Sequence, residues 1–168
     1  MFKLTTAKIV RAGIVGAIYS LLTFATMSFA SGSIQLRVAE GLTLLPLIFP
    51  ETAWGLFAGC VISNLLTGCV ILDVVFGSLI TFFSAILTAI IGKAIKNFAL
   101  KIIVGGIFPV ILNAILLPLI WFWAYGQIEE MYIIQVLYLF ASQTISVYLI
   151  GTPIVISANK IINKKIKE

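Results

Sequence analysis

The sequence predicts an all-α integral membrane protein, a bundle of six transmembrane helices. Of its 168 residues, 61% are hydrophobic and only 10% are charged, whereas a soluble domain carries about 25% charged residues. Five uncharged runs reach the roughly 20 residues that a membrane-spanning helix needs. These runs are 12–36, 52–72, 74–92, 102–128 and 131–159. Together with a shorter run at 41–50, they predict a single membrane domain over residues 1–168.

The basic residues determine the predicted topology, because lysine and arginine collect on the cytoplasmic side of a membrane. They form clusters at 3–11, 93–101 and 160–167, and Arg37 stands apart from them. If all three clusters are cytoplasmic, an even number of crossings separates the first two, so the short run 41–50 must also cross. Both termini are then cytoplasmic, and Arg37 lies on the outer side.

The boundaries of the predicted helices follow from these runs and from their flanking residues. Pro50 and Glu51 mark the start of the third helix, where an acidic side chain complements the helix dipole. We therefore interpret Glu51 as a helix start at the inner interface. The six predicted helices occupy residues 6–29, 38–49, 51–66, 72–95, 100–125 and 131–162.

The sequence lacks the residues that most catalytic sites need. Histidine is absent, and the two cysteines, Cys60 and Cys69, lie in apolar stretches. We therefore predict no metal or haem site of the usual ligand type and no disulfide framework. A nucleotide-binding Gly-x-x-x-x-Gly-Lys-Ser/Thr pattern is missing as well. We expect no enzyme, no cofactor and, despite the net charge of +5, no nucleic-acid partner. If the protein takes up a solute, the energy must come from a partner protein or a gradient.

Ionisable groups at membrane depth are functional candidates, because they are costly to bury there. Arg37 and Glu40 are three residues apart and share a face if the chain is helical. Asp73 begins the fourth predicted helix on the same outer side, and Asn64 lies toward the outer end of the third. These four side chains are predicted to line one outward-facing cavity. The alternative is that Arg37 pairs with an acid only to stabilise a helix end.

Two amides and several aromatic residues extend this set. Asn113 and Gln143 each lie about 18 Å from an interface at 1.5 Å per residue, near the middle of a hydrocarbon layer of about 30 Å. Either they bond each other as contacts between helices, or they form the floor of a binding cavity. Candidates for stacking on a planar ligand are Trp121, Trp123 and Tyr138. A belt of aromatic residues at the membrane interface is their alternative role.

Small residues on the first predicted helix indicate a docking surface. Ala12 and Gly16 form one small-x-x-x-small pair, and Gly13 and Ala17 form a second, near the cytoplasmic end. Such pairs allow two helices to approach closely. The helix that docks there belongs either to a partner protein or to this chain.

Three segments resemble the queuosine-precursor transporter (QueT-like) family. They are IQLRVAEGLTLLP at 34–46, GLFAGCVISNLL at 55–66 and LDVVFGSL at 72–79. Members of this family are the substrate-binding S components of energy-coupling factor (ECF) transporters. The resemblance is strongest over residues 34–80, and the length and number of helices extend it to the whole chain.

The resemblance implies a six-helix S component in a bacterial plasma membrane, with an outer pocket lidded by the first loop. It also implies partners, namely an ECF transmembrane coupling protein and two cytoplasmic ATPases. The implied ligand is a queuosine precursor, 7-aminomethyl-7-deazaguanine. A carboxylate accepts the adjacent N–H donors of a guanine edge, and the ammonium requires a second carboxylate. Glu40 and Asp73 would take these two tasks in either order. The amides would contact the ring, and Arg37 would orient Glu40 or close the loop.

One position departs from the family pattern, since Gln143 stands where relatives tend to have glutamate. An amide at this position would shift the preference toward a neutral or differently substituted deazaguanine, or toward another small heterocycle. A self-sufficient channel or secondary carrier is the alternative from a different class. The lack of an internal repeat and of a proton-relay chain speaks against it.

Overall fold

A computed structural model describes residues 5–27, 36–125 and 132–167 of the chain, and the regular elements within these ranges are helices. The all-α class is therefore confirmed, and six helical segments agree with the predicted number. They are α1 (Thr6–Ala25), α2 (Val38–Leu47), α3 (Thr52–Leu66), α4 (Asp73–Ala94), α5 (Phe98–Tyr125) and α6 (132–167). The predicted lid in the first loop falls largely outside the described residues.

Four helices are long and apolar enough to cross a membrane, namely Thr6–Ala25, Asp73–Ala94, Phe98–Trp123 and Tyr132–Lys164. Many of their large apolar side chains face outward, and Leu21 on α1 is 67% exposed. A lipid environment accepts such a surface, because hydrocarbon tails are as apolar as leucine. The length of these helices and their apolar outer surface together show that the chain is a multi-pass membrane protein.

The shorter α2 occupies the centre of the bundle. It is a 3₁₀-helix of 10 residues, and at about 2.0 Å per residue it extends about 20 Å. All its residues from Ala39 to Leu47 are buried, and it contacts each of the other five helices. A 3₁₀ run of this length is uncommon. Its central position means that a polar side chain on α2 must find its partners inside the protein.

The backbones of α1 and α3 touch each other through small residues. A Cβ atom placed on Gly55 would lie 2.0 Å from the carbonyl oxygen of Ala12, and one placed on Gly16 would lie 2.6 Å from the carbonyl oxygen of Gly55. Ala12 and Gly16 therefore pack within this chain, which is one of the two alternatives considered for them. Gly13 and Ala17 face outward on the same helix.

The cytoplasmic ends of α1 and α3, as the topology predicts them, are joined by an ion pair. The guanidinium of Arg11 contacts the carboxylate of Glu51, whose side chain is only 4% exposed. The same guanidinium lies 4.0 Å from the centre of the Phe49 ring. Glu51 is thus both the residue that precedes α3 and the partner of a cation on α1.

Candidate functional site

A chain of hydrogen-bonded side chains crosses the interior of the bundle from α1 to α6. The hydroxyl of Tyr19 donates to Oε1 of Glu40 at 2.6 Å. The amide nitrogen of Asn113 lies 3.4 Å from Oε2 of Glu40 and 3.4 Å from Oε1 of Gln143. An asparagine amide carries two N–H donors, so it can serve both acceptors. We call Tyr19, Glu40, Asn113 and Gln143 the central cluster.

Each member of the central cluster comes from a different helix, and each is only 1% exposed. Glu40 lies in the first turn of α2, so its side chain starts from the centre of the bundle. Asn113 lies in the middle of α5, and Gln143 lies just before a π-helical turn of α6 at Ile145–Ile150. A buried polar group without a hydrogen bond costs several kcal/mol in a medium that offers none. The four side chains therefore stabilise each other as a network.

Arg37 and Asp73 flank the central cluster. Arg37 immediately precedes α2, is 9% exposed and interacts electrostatically with both Glu40 and Asp73. Asp73 begins α4 and is 4% exposed. Its backbone carbonyl oxygen accepts a hydrogen bond from the Asn64 amide at 3.3 Å. The two acids and the single guanidinium carry a formal charge of −1 between them.

The structure thus places the six predicted ligand-binding side chains in one connected region. Asn113 and Gln143 meet, as their equal depth predicts, and the same amide of Asn113 also reaches Glu40. Both alternatives for these two amides therefore remain open, since contact between helices and a place at a binding site coexist here. That these side chains bind a ligand stays a prediction.

The predicted stacking residues lie elsewhere. Trp123 is 77% exposed and Tyr138 is 40% exposed, so both face outward from the bundle. Trp121 is partly buried and packs against an apolar cluster that includes Leu117 and Leu139. These positions suit a belt at the membrane interface. Stacking on a ligand stays a prediction for all three residues.

Tyr19 is the member of the central cluster that the sequence analysis missed. It is only 1% exposed on α1 and packs in an apolar cluster with Leu42 of α2 and Leu56 of α3. A buried tyrosine usually finds a hydrogen-bond partner for its hydroxyl. The sequence therefore held one signal for Tyr19. It is a tyrosine in the middle of an apolar helix, and the next helix along the chain carries Glu40, a buried acceptor for its hydroxyl.

A helical bundle with lipid-compatible sides and an enclosed polar cluster defines a multi-pass membrane protein with a polar interior. The model of the QueT transporter family matches residues 9–160, which is most of the chain. The chain therefore belongs to the QueT transporter family, and the resemblance carried by its three segments is confirmed. No curated protein and no solved structure matches the chain at a significant level.

Proposed function

We propose that this protein is the substrate-binding S component of an ECF transporter and takes up a queuosine precursor, 7-aminomethyl-7-deazaguanine or a close deazapurine. The observation that carries the proposal is the central cluster, in which one buried carboxylate and two buried amides converge from three helices. Groups of these types can match the alternating donors and acceptors at the edge of a purine-like ring. Membership of a transporter family supports transport rather than catalysis.

The proposed orientation places the protein in a bacterial plasma membrane with both termini in the cytoplasm. Its support is the positive-inside rule, because the lysine clusters at 93–101 and 160–167 and the basic residues at 3–11 would then share one side. The pair of Arg11 and Glu51 would lie at the inner interface. The central cluster would be reached from the outer side, where a ligand arrives.

The experiment that tests this function has two stages. The protein purified alone should bind the deazaguanine, and mass spectrometry should find the compound among small molecules that co-purify with it. In proteoliposomes, accumulation of the ligand should require the coupling protein, both ATPases and ATP. Accumulation by the protein alone would instead indicate a self-sufficient carrier, and failure to bind any deazapurine would exclude the proposed ligand.

The proposed partner surface is a groove between α1 and α3. It has a volume of about 620 Å³ and is almost entirely apolar, and its lining includes Gly13, Ala17, Trp54 and Ile62. Gly13 has no atom within 4 Å of the position of a Cβ. A helix of the coupling protein could therefore approach the backbone of α1 closely here.

Replacing Gly13 by leucine should abolish ATP-driven uptake in the assembled transporter while leaving ligand binding by the isolated protein unchanged. The added side chain would occupy the groove and hold the partner helix away, but Gly13 is exposed on the outer face of α1, whereas the central cluster is buried inside the bundle. Uptake in proteoliposomes and co-purification of the coupling protein measure the effect. The matched control is Ile14→Phe, since Ile14 is 55% exposed on the same turn and does not line the groove. Normal assembly of the Gly13→Leu variant would contradict this docking surface.

A further inference from the structure

We infer that the two carboxylates have different tasks: Asp73 receives a positively charged group of the ligand beside Gly77, and Glu40 contacts the uncharged ring. The inference rests on the proposed function and assigns an order that the sequence leaves open. It also defines the ligand class as a planar heterocycle that bears one primary ammonium group.

The first observation is that the carboxylate of Asp73 lacks a partner for one of its oxygens. Asp73 is 4% exposed, and its Oδ1 atom is buried without a hydrogen bond among the described residues. A buried acceptor left in this state is costly, and the cost is higher for a charged group. An incoming N–H donor with a positive charge would remove that cost.

The second observation is that the backbone of Gly77 lies close to this oxygen. A Cβ atom placed on Gly77 would lie 3.1 Å from Oδ1 of Asp73, 3.5 Å from a methyl carbon of Leu117 and 3.6 Å from the amide nitrogen of Asn64. Gly77 has ordinary helical dihedral angles, with φ −61° and ψ −42°. The backbone here does not require glycine, but a side chain at this position would crowd Oδ1 of Asp73.

The third observation is the local backbone around this oxygen. Asp73 and Gly77 are the first and last residues of a π-helical turn, and such turns occur frequently at functional sites. A primary ammonium carries three N–H donors, so it can supply the hydrogen bond that Oδ1 of Asp73 lacks.

Glu40 differs from Asp73 in the hydrogen bonds of its carboxylate. Both of its oxygens already accept hydrogen bonds, one from Tyr19 and the other from Asn113. Its neighbours Asn113 and Gln143 are neutral amides, which suit the donors and acceptors of a ring. Arg37 interacts with both acids but balances only one of their two charges. A ligand with a single positive charge would neutralise the region, and the unpaired oxygen of Asp73 indicates where that charge would lie.

The test compares two ligands that share one ring, 7-aminomethyl-7-deazaguanine and the nitrile in which a neutral cyano group replaces the aminomethyl group. Isothermal titration of the purified protein should show tighter binding of the amine, by about 30-fold or more. Asp73→Asn should weaken binding of the amine by about that factor and leave the nitrile nearly unaffected. Gly77→Ala should act in the same direction, because its Cβ would lie 3.1 Å from Oδ1 of Asp73 and hinder access to that oxygen.

Glu40→Gln is the matched control, since it also neutralises a buried acid. It should weaken both ligands by the same factor and leave the ratio of their affinities unchanged. If Asp73→Asn and Gly77→Ala weakened both ligands equally, or left the amine unaffected, the assignment of the ammonium to Asp73 would be wrong. A wild-type protein that bound the two ligands equally would also overturn it while leaving the proposed function intact. Binding of neither ligand by the wild-type protein would remove the proposed function and this inference together.

Discussion

Replacement of Glu40 by glutamine is expected to weaken ligand binding by about 2 kcal/mol or more, which is roughly 30-fold in affinity. The Tyr19 hydroxyl can still donate to the amide oxygen of the new side chain. The new amide nitrogen, however, takes the place of Oε2, where the Asn113 amide now donates. Two donors would then face each other in the centre of the bundle, and the charge offered to the ligand would be lost. Isothermal titration of the protein in detergent measures the effect.

The control for this prediction is Glu51→Gln, which removes a buried carboxylate of the same type at the other end of the bundle. Glu51 pairs with Arg11 and belongs to the contact between α1 and α3. Its replacement should lower thermal stability and leave ligand affinity close to that of the wild-type protein. If Glu40→Gln bound the ligand as tightly as the wild-type protein does, Glu40 would not belong to the binding site.

The helical class could be predicted from the sequence because uncharged runs of about 20 residues have the length of a membrane-spanning helix, and a helix bonds its backbone polar groups internally. The local geometry of the helices could not be predicted from the sequence. α2 is a 3₁₀-helix and α4 begins with a π-helical turn, yet neither segment carries a sequence signal for these forms. α2 contacts each other helix, so its shape depends on partners that are distant in sequence.

The candidate site was predictable to the extent that its residues are costly to bury. Glu40 and Asp73 stand out because charges are rare at membrane depth, and simple counting along the helices placed Asn113 and Gln143 at one level. Tyr19 was missed because a tyrosine in an apolar helix signals a need for a hydrogen-bond partner but does not identify that partner. The hydrogen bond from Tyr19 to Glu40 joins residues 21 positions apart, and helical periodicity carries no information about such a pair.

The pair of Arg11 and Glu51 illustrates the same limit at the other end of the molecule. Each residue was assigned a local role, Arg11 as a topology signal and Glu51 as the start of a helix. Their contact spans 40 positions in sequence and depends on how closely α1 and α3 approach. Glycines on both helices allow this close approach. Their spacing in the sequence predicts that a helix can pack closely there, but it does not identify that helix.

Gly55→Ala is therefore expected to be strongly destabilising, with a loss of about 3 kcal/mol at the upper end of the usual cost of overpacking. Its Cβ would lie 2.0 Å from the carbonyl oxygen of Ala12, and a backbone atom cannot rotate away as a flexible side chain can. α1 and α3 would have to separate, which would loosen the packing of Tyr19 and the ion pair of Arg11 together. Gly13→Ala is the matched control, because it adds the same methyl group where no atom lies within 4 Å. Unfolding of both variants in detergent, followed by circular dichroism, should give a lower midpoint for Gly55→Ala alone. Equal midpoints would mean that α1 and α3 do not touch at Gly55.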